Sequence, residues 1–112
     1  MTGYSRGDVI LVGFIFSDEG GEKKRPAIIV SSNNYHFSRD ESIIVAITSN
    51  TERLLLGDYL IHDWQEAGLL FPSVVTGILR TIKQKVILKK LGTMPGPDMR
   101  NIEDKLRTIL DL

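Results

Sequence analysis

Lys24-Arg25-Pro26-Ala27-Ile28-Ile29-Val30 and, further along, Val45-Ala46-Ile47-Thr48-Ser49 decide how this chain is read. Both runs are short, apolar and rich in β-branched residues, the pattern of strands buried on both faces. Each carries polar groups where a core has none: Arg25 enters the first strand, and Thr48 with Ser49 leaves the second. If the two strands pair, a guanidinium and a hydroxyl meet at the rim of a small sheet. A planar guanidinium offers two parallel N–H donors, so such a rim suits a phosphate. On spacing alone the plainer alternative is the stronger: a surface strand arginine and a strand-end threonine chosen for propensity.

Working outward, Gly7-Asp8 signals a turn, and Val9-Ile10-Leu11-Val12 opens a strand over residues 9–16. A glycine-rich, charged loop follows over 17–24, then the strand over 25–32, with Pro26 suited to a strand start or sheet edge because it lacks an N–H. Residues 33–38 read as a turn or short helix. The strand over 42–47 leads into a polar loop over 48–53. Residues 57–61 form a short strand, and Asp63 to Ala67 a helical turn ended by Gly68. A long strand over 73–82 bends at Gly77. Residues 83–91 fit either a helical turn or a strand. Pro97-Asp98 starts a helix with Asp98 as its cap. Met99, Ile102, Leu106, Ile109 and Leu110 share one face of it, and Glu103 with Arg107 forms an i,i+4 pair. The expectation is a mainly β protein with a C-terminal helix, its short bent strands closing a small barrel, and residues 1–112 forming a single domain.

The 112 residues are enough for a core without staples. There is no cysteine, which excludes disulfides and thiolate chemistry. Fourteen basic residues balance fourteen acidic ones, so no net charge steers the chain toward nucleic acid and any polyanion site must arise from local clustering. The densest basic cluster is Lys23-Lys24-Arg25, close to Asp18, Glu19 and Glu22; its bland alternative is a solvated loop of mixed charge. The N-terminus lacks a signal-peptide pattern, and no apolar run approaches the ~18 residues that span a bilayer. A soluble, cytoplasmic protein is expected.

Groups for other chemistries are sparse. His36 and His62 are far apart in sequence, so a metal site is not expected. His36, between Tyr35 and Phe37, suits a packed turn. Ser49 has no histidine base nearby in sequence. No nucleophile elbow, phosphate-binding loop or zinc-protease helix motif is present. Trp64 suits packing better than base stacking.

At Arg25-Pro26 and Thr48-Ser49 the chain resembles the PemK/MazF family of toxins. The resemblance begins at Gly7-Asp8-Val9-Ile10-Leu11-Val12. It runs through both opening segments, then Ala67-Gly68-Leu69, Pro72-Ser73-Val74-Val75, Thr81-Ile82, Lys90-Leu91-Gly92 and the final helix. It implies an SH3-like barrel of the CcdB/PemK type and a homodimer. It implies a sequence-specific, ribosome-independent endoribonuclease acting on single-stranded RNA without metal or cofactor. In the family the substrate's own 2′-hydroxyl attacks phosphorus, leaving 2′,3′-cyclic phosphate and 5′-hydroxyl ends. The family's catalytic arginine and threonine fall on Arg25 and Thr48. RNA contacts are expected from Phe16, Ser17, Lys23, Lys24, Ser49, Asn50 and Arg53, because single strands are held by stacking and by bonds to splayed base edges. A cognate antitoxin with a flexible acidic segment is the implied protein partner. The alternative is a non-catalytic, CcdB-like toxin that binds a protein such as gyrase. That activity does not need Arg25-Pro26 or Thr48-Ser49.

Overall fold

A computed structural model describes residues 3–16, 21–52 and 54–112. Among the described residues, six strands form one antiparallel sheet: β1 (Asp8–Phe16), β2 (Gly21–Ile29), β3 (Glu41–Thr48), β4 (Tyr59–Leu60), β5 (Val74–Lys83) and β6 (Ile87–Thr93). Their order across the sheet is β4-β5-β3-β2-β1-β6. Helix α1 (Asn33–Arg39) links β2 to β3, and α2 (Gly96–Leu110) follows β6.

The apolar runs are continuous because both faces of the central strands are covered. Val9, Ile28, Val45 and Ile47 join Met99 and Ile102 of α2 in one core, with Trp64 and Leu106 packed against it. Their strand neighbours Ile10, Val12, Ala27, Ile29 and Ile44 turn the other way and join Ile82 and Ile87 in a second core. Successive side chains on a strand point to opposite faces, so each run feeds both cores.

Several local expectations are met and others change. Strand β2 begins at Gly21 rather than Arg25, because it pairs with β1 down to the rung Phe16–Gly21. The ambiguous stretch is a 3₁₀ turn (Gln84–Val86) followed by β6, so both readings hold in succession. The bend at Gly77 is a bulge: Val45 faces Leu79 but Ile47 faces Val75, leaving extra residues on β5. Thr76 Oγ1 fills it by donating to the Ala46 carbonyl at 2.8 Å, and the Gly77 N–H is taken by Asp58 Oδ1 at 3.1 Å. On α2, Leu110 leaves the shared apolar face and is exposed, as the last residue of the helix. The expected Glu103–Arg107 pair is replaced by two others. Glu103 binds Arg6 at 2.8 Å and Arg107 binds Asp104 at 2.9 Å.

Asp98 does not cap α2. Pro95 holds the cap position without a side-chain bond, and Asp98 turns inward, only 1 % exposed. Its carboxylate accepts from the Tyr59 hydroxyl and from the N–H groups of His62 (2.9 Å) and Asp63 (3.0 Å). Burial pushes the Asp98 carboxyl up, but these donors outweigh it and the net direction is down. Tyr59 is pushed up to about 12, chiefly by burial and then by its bond to Asp98. The helix start, β4 and the turn after it are thus tied at one carboxylate.

Candidate RNA-binding groove

The ladder between β2 and β3 runs through Ile29–Ile44, Ile28–Val45 and Ala27–Ala46. Continued by two positions, this register sets Arg25 opposite Thr48, and opposed residues of an antiparallel pair project to the same side. Pro26 lies between, and without an N–H it cannot extend the ladder. The two strands therefore end their pairing where Arg25 and Thr48 begin.

Arg25 and Thr48 line one groove of about 830 Å³. Its floor includes Leu11, Pro26 and Ile47, its near rim Ser49, Asn50 and Glu52, and its far wall Gly68 to Phe71 with Lys89 and Leu91. Lys89 reaches it because β6 pairs with β1 at the rung Leu11–Lys89, next to Leu11–Pro26. Arg25 is exposed, and among the described residues no carboxylate pairs with it. The Thr48 Oγ1 atom accepts from the Asn50 N–H at 3.2 Å, and Asn50 Oδ1 accepts from the Glu52 N–H at 3.2 Å. These local turns fix the loop after β3. They occupy the oxygen of Thr48 as an acceptor and leave its O–H proton to donate into the groove.

The expected contact residues divide. Ser49 and Asn50 line the groove beside Thr48. Lys23 and Lys24 are exposed on β2 just before Arg25 and are not among the groove-lining residues. By alternation Lys23 shares the face of Arg25 and Lys24 takes the other. Ser17, Arg53 and the side chain of Phe16 lie outside the described residues. Neither histidine lines the groove. His36 is buried on α1 and shares a 2.7 Å hydrogen bond with Ser31 Oγ, and His62 is exposed beside Asp63. Burial is the main influence on His36 and lowers its pKa. Among the described residues no three His, Asp or Glu side chains gather as a metal site would require, and no helix is long and apolar enough to cross a membrane.

Sequence reasoning missed the far wall. Leu70, Phe71 and Lys89 lie far from Arg25 and Thr48 along the chain: the β3–β5 rung Thr48–Val74 brings Phe71 near Thr48, and the β1–β6 rung Leu11–Lys89 brings in Lys89. One signal was present: Leu69-Leu70-Phe71 is an apolar run bounded by Gly68 and Pro72, too short for a helix and in no strand.

The chain matches the family described as "PemK-like, MazF-like toxin of type II toxin-antitoxin system" over residues 5–110. It is 31 % identical over 93 residues to the endoribonuclease MazF6 of Mycobacterium tuberculosis, covering 80 % of this chain and 81 % of that protein. The endoribonuclease MazF2 of Mycobacterium bovis matches to the same extent. Among solved structures, a mycobacterial endoribonuclease in complex with its cognate antitoxin superposes with a TM-score of 0.79 at 21 % identity, covering 97 % of this chain and 96 % of that one. The MazE–MazF complex of Deinococcus radiodurans gives 0.75 at 15 % identity, covering 97 % and 96 %. At these identities the superpositions speak to the fold.

Proposed function

This chain belongs to the PemK-like, MazF-like toxins of type II toxin–antitoxin systems, and from that premise we propose that it is an endoribonuclease toxin whose active groove is the one holding Arg25 and Thr48. It cleaves single-stranded RNA at a short sequence, independently of the ribosome. The substrate's 2′-oxygen forms a bond to the adjacent phosphorus as the bond to the 5′-oxygen breaks. The proton of the 2′-hydroxyl is lost and the leaving 5′-oxygen gains one, giving 2′,3′-cyclic phosphate and 5′-hydroxyl ends.

The observation that carries this reading is the groove shared by Arg25 and Thr48. As the phosphorane forms, negative charge grows on its equatorial oxygens. A guanidinium and an O–H at this position stabilise that charge more than the ground state, which is what accelerates a reaction. A guanidinium stays protonated, so Arg25 acts as a charge and a hydrogen-bond donor and not as a base. Ser49 and Asn50 hold the strand on the near side, aligning the attacking and leaving oxygens. Lys23 meets the backbone where it leaves the groove, Lys24 adds positive charge from the other face of β2, and Phe16, Ser17 and Arg53 complete the RNA contacts. The named relatives are endoribonucleases, which disfavours a purely gyrase-binding role.

The protein works as a cytoplasmic homodimer and is silenced by an antitoxin whose acidic segment occupies the groove, pairing with the cations that otherwise hold phosphates. The test is direct. Purified protein is incubated with RNA of mixed sequence in excess EDTA, and the new ends are mapped. Cleavage at a recurring short word with cyclic-phosphate ends is expected; intact RNA would overturn the proposal.

A further inference from the structure

The far wall of the groove carries a feature that the phosphate chemistry leaves unused. Phe71 lines the groove and is 62 % exposed, with Leu70 beside it at 83 %. Leu70 and Phe71 together make an exposed apolar patch that adjoins polar, convergent groups in a groove, the combination that marks a ligand contact.

The backbone under Phe71 is fixed at both ends. Residues 63–67 make one helical turn that stops at Gly68, whose φ is +89°. The Gly68 N–H bonds the Gln65 carbonyl and the Leu69 N–H the Trp64 carbonyl, the pair of bonds that ends a helix in a left-handed residue. Here the segment crosses β6 backbone to backbone. A Cβ on Gly68 would overlap the Leu91 carbonyl, and one on Gly92 would overlap the Ala67 carbonyl. On the other side of Phe71, Pro72 restricts the chain, and the buried Ser73 donates its hydroxyl to the Phe71 carbonyl at 2.7 Å. The Ser73 carbonyl in turn accepts from the Ile61 N–H at 3.0 Å. The ring projects from a braced loop, already placed before any ligand arrives.

The chemistry around it selects the occupant. Among the described residues, Arg25 and Lys89 bring two positive charges into the groove against the single carboxylate of Glu52. Cations tracking a backbone, combined with an exposed aromatic face, form the recognition surface for single-stranded nucleic acid. The volume is near the top of the range of about 300–1,000 Å³ for pockets that bury ligands of drug size, so a base fits beside the scissile linkage.

We propose that Phe71 is the stacking platform for a base adjacent to the scissile linkage, and that it contributes to which RNA word is cut. The inference rests on the endoribonuclease reading above and adds to it a residue and a role. Lys89 faces the neighbouring phosphate from β6, so base and backbone are gripped from one wall while Arg25 and Thr48 address the reacting phosphorus from the other.

The experiment uses the full chain and a short RNA carrying its mapped cleavage site. In one form the attacking nucleotide is 2′-deoxy, so the RNA binds but cannot react. In others 2-aminopurine replaces each base near the cut in turn. With the wild-type protein, fluorescence is expected to be quenched at one position next to the scissile linkage. Phe71→Ala loses that quench and binds the uncleavable RNA roughly 5- to 150-fold more weakly, the cost of one lost stacking contact. Phe71→Trp restores both. In cleavage assays the Phe71→Ala effect falls mainly on KM, and the spread of sequences cut widens. Unchanged affinity and quench in Phe71→Ala, with wild-type cleavage intact, would overturn this role while leaving the nuclease reading standing. A Phe71→Ala protein whose oligomeric state changes but whose RNA affinity per folded molecule does not would make Phe71 a protein contact and overturn it too. A wild-type protein that cleaves no RNA would bring down both.

Discussion

Two charged side chains in this molecule, Asp98 and Arg25, sit in neighbourhoods built on opposite plans. At Asp98 a buried charge is surrounded until every need is met: a hydroxyl and two backbone N–H groups converge on it from β4 and the turn that follows. At Arg25 a charge stands at the end of a strand pairing, exposed, with no carboxylate among the described residues to neutralise it. A buried charge left without partners would cost several kcal/mol, roughly 3–5, so Asp98 must be satisfied internally. An exposed guanidinium contributes almost nothing to folding, so its placement is free to serve a ligand. The contrast teaches where to look: a saturated charge holds the fold, and an open one facing a groove waits for a partner.

The contrast is broken most severely at Arg25. Arg25→Ala is expected to lower kcat/KM for RNA cleavage by about 10²–10³, the effect of removing one donor to a developing oxyanion. Its melting temperature should stay at the wild-type value, since an exposed side chain away from capping or packing shifts stability by less than about 0.5 kcal/mol. Single-turnover cleavage and thermal unfolding measured on the same preparation decide this. A large loss of stability would mean that Arg25 is structural.

Asp98→Ala should show the reverse. Three donors lose their acceptor, and unfolding free energy is expected to fall by about 3 kcal/mol. Cleavage per folded molecule should persist below the transition, because Asp98 does not line the groove. The pH dependence sharpens the point. The Asp98 carboxyl is held below its ordinary value of 3.8, so its contribution is present above that value and is lost as pH falls through the lower, folded one. Denaturant titrations from pH 6 down to pH 2 should show a weaker acid dependence in Asp98→Asn than in the wild type.

The smallest expected effect is at Tyr59. Tyr59→Phe removes one of the three donors and should cost about 1.5 kcal/mol at neutral pH. The folded hydroxyl titrates at about 12 against an ordinary 10.0. Its contribution is therefore complete below pH 10 and fades as pH rises toward 12. Unfolding followed across that window should decline more steeply in the wild type than in the variant. Parallel curves would remove Tyr59 from the network.

Much of this was legible because the signals were local. The β-branched runs at 9–12, 27–30 and 43–47 announce strands, and Met99, Ile102 and Leu106 announce the buried face of α2. Arg25 and Thr48 were legible as a pair only through the family resemblance, because spacing alone does not say which of two separate strands adjoin. Asp98 was misread because a carboxylate just after a proline fits a helix cap. Its true partners on Tyr59, His62 and Asp63 are reached only through the tertiary fold. Glu103 was paired with Arg107 by helix spacing, yet Arg6 from the N-terminal segment reaches it first. Phe71 and Lys89 escaped notice for the same reason: nothing in sequence distance connects them to Arg25, and their meeting depends on β5 pairing with β3 and on β6 pairing with β1.

The backbone crossing of Gly68 and Gly92 has a consequence for how such proteins diverge. Bare backbone at two points carries the frame of the far wall, and neither point tolerates even a methyl group. Positions 70, 71 and 89 sit on that frame with their side chains in solvent. A library randomised at those three positions, with both glycines kept, should therefore consist mostly of folded proteins differing in the RNA they choose. Descent from a common ancestor could explore new targets by the same route, changing the tip of the wall while its footing stays as it was.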